Sequence, residues 1–251
     1  MFTRTSKLLA ATIARAFKKL LRREAGRGVT GGTRVEVRYR VAVTAPLLVC
    51  AAEVEGRGLP SALRLGVGKV AAAVSMTRAL HERRPAWVLL FGVCGAYPEG
   101  HGPGARLDVG DVCLVGDEWL ADEGVAVDDG FLPLSQLGLG SNGPFEADAG
   151  RTAAAARVLA VPVVRGATVS SCSGTDARSR ELASGTGATV ETMEGAAVAW
   201  ACRAAGVPWV QLRCVSNRTG RRAAGGWDLP RAVAGVQAAL LRLQAADWGS
   251  E

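Results

Sequence analysis

The chain has 251 residues, 49% of them hydrophobic and 21% charged, enough to bury the core of one or two globular domains. Its formal net charge is +7, yet residues 1–40 hold 11 of the 30 Lys and Arg and only 2 of the 23 Asp and Glu, which leaves the rest of the chain slightly acidic. That distribution argues against a nucleic-acid-binding body, and no stretch reaches the roughly 18–20 apolar residues of a membrane span.

Residues 6–23, SKLLAATIARAFKKLLRR, have the pattern of a basic amphipathic helix, with Leu8, Leu9, Ile13, Phe17, Leu20 and Leu21 near one face. Arg15 and Lys18 interrupt the apolar run, so it is a poor secretory signal. This arm reads as an extension outside the folded body, with contact to a membrane surface as the lesser reading. Residues 25–33, AGRGVTGGT, read as a linker. The expected organisation is therefore an extension and linker over residues 1–34 and a single domain over residues 35–251.

Beyond the linker, short apolar strands alternate with helical segments. LLVCAA (47–52) reads as a buried strand, KVAAAVSMTRALHER (69–83) as a helix and WVLLFGV (87–93) as a second core strand. DVCLV (111–115) is a third, and residues 167–171 and 188–193 are further candidates. EGAAVAWACRAA (194–205) reads as a helix stopped by Gly206-Val207-Pro208. WVQLRCV (209–215) is the last strand, and residues 229–244 form a closing helix. This alternation implies a central, largely parallel sheet covered by helices. Ligands in such sheets bind at the carboxyl ends of strands. Those ends carry Glu53–Glu55, Gly92–Gly95, Met193–Glu194 and Ser216–Asn217.

Several chemistries are excluded. Two histidines and no Gly-x-Ser-x-Gly leave no Ser-His-Asp hydrolase, and there is no P-loop. The six cysteines form no CxxC pair and stand apart from His81 and His101, so no metal site is expected. They read as core residues of a protein of the reducing cytoplasm. Carboxylates and amides at strand ends remain. Glu194, at the entry of an Ala-rich helix, is favoured there as an anion by the helix dipole. Either Glu53 or Glu55 could activate a water as a general base.

VETMEGAA (190–197) resembles the Met-Glu-x-Ala-Ala signature of the nucleoside phosphorylase and nucleosidase superfamily. GVGKVAAAV (66–74), FGVCGA (91–96) and LDVGDVCLV (107–115) match other segments of that superfamily in the same order. The resemblance implies a three-layer αβα sandwich on a mixed, largely parallel sheet, a purine nucleoside as substrate, no cofactor, and self-association into a homo-oligomer. It makes Glu194 the ribose anchor with Met193 packed on the sugar, and Glu55 the base that activates water. Gly92 and Gly95 then shape the water site. Arg213 holds the position of an arginine on the last strand. LLF (89–91) lacks the arginine by which hexameric phosphorylases hold phosphate, which favours water as nucleophile.

Where adenine-releasing members have an aspartate, this chain has Asn217. An amide offers a donor and an acceptor, which suits a 6-oxopurine. GDEWLADEGV (116–125), TVSSCSGT (168–175), VSNRTG (215–220) and GWDL (226–229) resemble the branch that releases hypoxanthine from a nucleoside extended by a benzoate-like group, on an alternative route to menaquinone. Ser173 then lies in the base pocket, where the stacking aromatic residue of adenosine-type members is absent, and Trp227 covers it. The benzoate calls for a cation, with Arg178, Arg218, Arg221 and Arg222 as candidates. Phosphorolysis, cleavage of inosine or methylthioadenosine, and nucleoside binding without catalysis are the competing readings.

Overall fold

The computed structural model describes residues 11, 12, 15, 45–98, 106–221, 226–246 and 248. The basic arm and Gly-rich linker therefore lie outside the described residues, apart from 11, 12 and 15. The chain divides into two units, one of residues 43–122 with 143–251 and a smaller one that includes residues 123–142.

The larger unit is built on a mixed sheet of eight strands: β1 (Leu47–Cys50), β2 (Leu63–Arg64), β3 (Val88–Ala96), β4 (Val112–Leu120), β7 (Phe145–Glu146), β8 (Val163–Thr168), β9 (Val190–Thr192) and β10 (Trp209–Arg218). Its helices are α1 (Lys69–Arg83), α3 (Ala149–Leu159), α4 (Asp176–Thr186), α5 (Gly195–Ala205) and α6 (Leu229–Ala245). The smaller unit holds a hairpin, β5 (Gly124–Val127) and β6 (Gly130–Pro133), and one helical turn, α2 (Leu134–Leu137). There Asn142 ties the turn together, accepting from the Ser135 amide at 2.9 Å and donating to the Glu123 carbonyl at 2.8 Å.

Strand β3 organises the sheet. On one edge it pairs with β10 along its whole length, in parallel. On the other edge its first residues, Val88–Leu90, pair in parallel with β1, and its last, Gly95 and Ala96, pair antiparallel with β9. A gap in the ladder opens between these partners. Because β10 also pairs with β4, β4 with β8 and β8 with β9, the pairing returns to β3.

Alternation along β3 and β10 sends side chains to two cores. Leu89, Phe91, Val210 and Leu212 pack with Ala232, Val236 and Leu240 of α6 and with Ala155 and Leu159 of α3. Val88, Leu90 and Trp209 pack with Ala72, Met76 and Leu80 of α1 and with Val198 and Cys202 of α5. Helix α1 spans the residues its periodicity predicts, and α5 ends at Gly206, whose φ of 66° a glycine adopts without strain.

Beneath the N-terminus of α5 lies a fully buried carboxylate, Glu118. Its oxygens accept from Gln211 Nε2 at 2.7 Å, Thr168 Oγ1 at 2.8 Å and Thr192 Oγ1 at 3.1 Å. The two threonines in turn accept the first amides of α5, Ala196 N at 2.7 Å and Gly195 N at 3.3 Å. Burial pushes the Glu118 carboxyl above the usual range, opposed by the hydrogen bonds from Gln211 and Thr168. A Cβ on Gly195 would collide with this carboxylate, which three bonds hold in place. Gly195→Ala is therefore expected to destabilise the fold by about 1–3 kcal/mol, read as a lowered urea midpoint at unchanged slope. An unchanged midpoint would show that the network yields.

Candidate active site

The gap in the β3 ladder opens onto a cavity of about 310 Å³. It is lined by residues from all four strand ends singled out in the sequence: Ala51, Ala52 and Glu55 after β1, Val93–Gly95 of β3, Met193 and Glu194 after β9, and Ser216 and Asn217 of β10. Val67, Glu191, Thr192, Cys172, Trp227 and Leu229 complete most of the wall.

The structure decides between the two acids after β1. Glu53 points outward, its side chain 78% exposed and 3.3 Å from Arg64. Glu55 turns inward and is 3% exposed. Its Oε2 accepts from the amides of Ala51 at 3.0 Å and Ala52 at 2.8 Å. Its Oε1 accepts from the Val93 amide at 2.9 Å, a strand N–H that lies between the stretches of β3 paired with β1 and β9. Gln237 of α6 fixes the loop from behind, donating 2.8 Å to the Glu55 carbonyl. A carboxylate held by three amides is oriented before any substrate arrives.

Glu194 is the residue before α5 and is 5% exposed. Its Oε1 accepts from the Gly68 amide at 2.8 Å, at the entry of α1. Gly68 has a φ of 92°, which an L side chain rarely adopts, so the predicted Gly-x-Gly-Lys entry serves to present this amide. Lys69 and Asp122 form an ion pair at 2.7 Å, and the Ser170 amide donates to the same aspartate at 2.6 Å, which ties the entry of α1 to the segment after β8. Burial raises the Glu194 carboxyl above the ordinary carboxylate range, countered by Arg213 and the Gly68 amide.

Arg213 and Gly92 stand behind the cavity wall. A Cβ on Gly92 would clash with Glu55 Oε1 and lie 2.7 Å from Arg213 Nη1, so glycine is what leaves room for both the carboxylate and the guanidinium there. Arg213 is 1% exposed and donates to the Val93 carbonyl at 3.1 Å, while its Nε and Nη2 have no hydrogen-bond partner. Buried donors of this kind are open to a water or a substrate oxygen.

At the far end, Asn217 Nδ2 donates to the Arg218 carbonyl at 3.0 Å and Oδ1 lies 3.0 Å from Ser216 Oγ. One amide hydrogen and one lone pair remain. Trp227 bridges to Asn217 through the backbone and is 53% exposed at the cavity wall, so it is a cover and not a core residue. Ser173 does not line the cavity; it holds Glu191.

Of the residues singled out in the sequence, Glu55, Glu194, Asn217, Gly95, Met193 and Trp227 meet at this cavity, while Gly92, Arg213 and Ser173 support it from behind. Sequence reasoning missed Glu118 and Glu191. Both are charged residues inside strands, a signal that a strict inward-outward alternation exposes. Five of the cysteines are buried, as expected of core residues, and Cys172 is exposed. Two of the arginine candidates for the benzoate are engaged elsewhere: Arg178 pairs with Glu181 at 2.9 Å and Arg218 with Asp108. Arg221 is exposed, and Arg222 lies outside the described residues. Among the described residues, no Lys or Arg lines the cavity.

Comparison with known proteins places this geometry. Residues 34–246 match the family model of the phosphorylase superfamily. The chain is 36% identical to a futalosine hydrolase of Thermus thermophilus over 75% of its length and 82% of that protein. It is 34% identical to a futalosine hydrolase of Acidothermus cellulolyticus over 72% and 73% of the two chains. A 5'-methylthioadenosine/S-adenosylhomocysteine nucleosidase from Neisseria meningitidis, solved with methylthio-immucillin-A, shares the fold at a TM-score of 0.68 and 19% identity, covering 80% of this chain and 99% of its own. A futalosine hydrolase mutant of Helicobacter pylori does so at a TM-score of 0.65 and 20% identity, covering 79% and 97%.

Proposed function

The chain belongs to the phosphorylase superfamily, alongside the futalosine hydrolases it matches, and from that premise we propose that it cleaves the N-glycosidic bond of futalosine with water. The products are hypoxanthine and dehypoxanthine futalosine, a step on the alternative route to menaquinone. The observation that carries this reading is that two buried carboxylates, Glu55 and Glu194, face one cavity with an amide, Asn217, at its other end.

A water near C1′ gives its proton to Glu55, the general base. As the bond to the base breaks, its electron pair leaves with the purine and positive charge develops on the ribose. Glu194 accepts hydrogen bonds from the 2′- and 3′-hydroxyls, which orients the sugar and favours that charge. Met193 packs on the sugar. Arg213, buried behind the wall, offsets the negative charge of the Glu194 carboxylate. Asn217 donates its remaining N–H to the 6-oxo group and accepts the imidazole N7–H of the departing base. The water oxygen ends on C1′ with one hydrogen as the new hydroxyl; the other leaves Glu55 for solvent, and the departing purine anion takes one proton from solvent on its imidazole ring.

No cofactor takes part. A three-layer αβα arrangement is supported by the two cores on opposite faces of β3 and β10. We take residues 35–251 as one cytoplasmic nucleosidase domain that self-associates. Val67, Val70 and Val74, exposed at the entry and on one face of α1, are a surface that a second copy would cover.

The choice of water over phosphate is testable. With ¹⁸O-labelled water, the sugar product should carry one label at C1′, and added phosphate should not raise the rate. A phosphorylated sugar, or a rate proportional to phosphate, would replace hydrolysis with phosphorolysis.

A further inference from the structure

We infer that Glu191 is a specificity-determining residue, whose carboxylate accepts the N1–H of a 6-oxopurine and thereby turns 6-aminopurines away. This deepens the reading of the cavity as a nucleoside site and rests on it.

The geometry begins at Gly95. In the sheet its partner on one side is Asn217 of β10 and on the other Glu191 of β9. Directly opposed residues project to the same face of a sheet. Gly95 itself leaves that face bare: a Cβ there would lie 2.8 Å from Thr219 Cγ2 and 3.4 Å from Asn217 Nδ2. Asn217 and Glu191 thus stand on either side of a strip of naked backbone. With neighbouring strands about 4.8 Å apart, their Cα atoms are separated by roughly 10 Å, room for one flat heterocycle between two polar side chains.

Glu191 is 5% exposed and lines the cavity. It accepts from the Ser173 amide at 2.9 Å through Oε1, and from Ser173 Oγ and Tyr97 Oη through Oε2, the last at 3.1 Å. All three donors are neutral. A carboxylate has about four lone-pair sites, so one remains, on Oε1. A buried anion held only by neutral donors is costly unless a further partner completes it. The mechanism above gives Glu191 no task.

Purine chemistry supplies one. Hypoxanthine presents a donor, N1–H, next to its 6-oxo group, and adenine presents a bare acceptor at the same place. Asn217 alone discriminates weakly, because an amide carries both a donor and an acceptor. An ionised carboxylate only accepts. It completes a 6-oxopurine and repels the N1 lone pair of a 6-aminopurine, and a site built to pair a substrate N–H rejects the analogue lacking it.

The test compares inosine with adenosine, and futalosine with its 6-amino counterpart, in wild type and Glu191→Gln. The wild type should prefer the 6-oxo member of each pair. In the variant the ratio of kcat/KM values should fall at least about tenfold, since glutamine can donate to the bare N1. A second measurement needs no variant: hypoxanthine should inhibit the wild type at least about tenfold more tightly than 1-methylhypoxanthine, in which the N1–H is gone. An unchanged ratio in an active variant, or, should the variant fail to fold, equal inhibition by the two bases, would overturn the inference. Wild type that releases no base from any nucleoside would instead remove the nucleosidase reading beneath it.

Discussion

Glu194→Gln is expected to lower kcat/KM for base release by about 10²–10³-fold, the scale of losing one preorganised electrostatic contact to a developing charge. The carbonyl of glutamine can still accept from the Gly68 amide, which Glu194 now does at 2.8 Å, so the loop should stay in place. What disappears is the negative charge that holds the ribose hydroxyls and offsets the ribosyl cation. Stability should move the other way. Burial raises the folded-state pKa of Glu194 above its unfolded value. A group shifted in that direction contributes stability that is fully present below the unfolded pKa and is lost as pH rises through the folded one. At neutral pH the neutral glutamine avoids that loss, and the variant should melt at the same temperature as wild type or higher. The same shift places the acid limb of the wild-type kcat/KM profile above the ordinary carboxylate range. A variant that melts normally and keeps wild-type turnover would remove Glu194 from the chemistry.

Glu55→Gln carries the second large effect. A positioned general base contributes about 10²–10⁴-fold, and an amide cannot take a proton from water. The loss should appear in kcat with little change in KM, because Glu55 touches water and not the nucleoside. The substitution also places an NH₂ where the carboxylate now receives the amides of Ala51, Ala52 and Val93, so one of those bonds must be given up. Some destabilisation is therefore expected, unlike at Glu194. Glu53→Gln, on the exposed neighbour, should leave turnover unchanged. Equal losses at both positions would mean that the loop, and not one carboxylate, matters.

The two acids illustrate what a sequence carries and what it withholds. Their place after a buried strand is legible from LLVCAA, because apolar runs and strand ends are local features. Which of them turns inward depends on the Val93 amide in the β3 gap, and a gap between two partner strands has no local signature. The helix over residues 69–83 is legible to the residue for the same local reason. Helices α3 and α4 escape it, since ADAGRTAAAARVL and TDARSREL mix short and polar side chains without a strong apolar stripe. Strand β3 runs three residues past the expected Val93, through Gly95 in a segment that reads as a turn, because pairing with β9 and β10 outweighs the weak strand preference of glycine. Glu118 and Glu191 are marked in the sequence only as acids inside strands; their roles depend on neighbours distant in sequence, Gln211 for the one and Tyr97 for the other.

The central claim is most directly tested by incubating the full chain with futalosine in phosphate-free buffer and measuring the freed base. Hypoxanthine release at wild-type rates, lost in Glu55→Gln and Glu194→Gln, is the predicted result. Silence with futalosine together with adenine release from methylthioadenosine would contradict the 6-oxopurine reading of Asn217, and silence with every nucleoside would contradict catalysis at this cavity altogether.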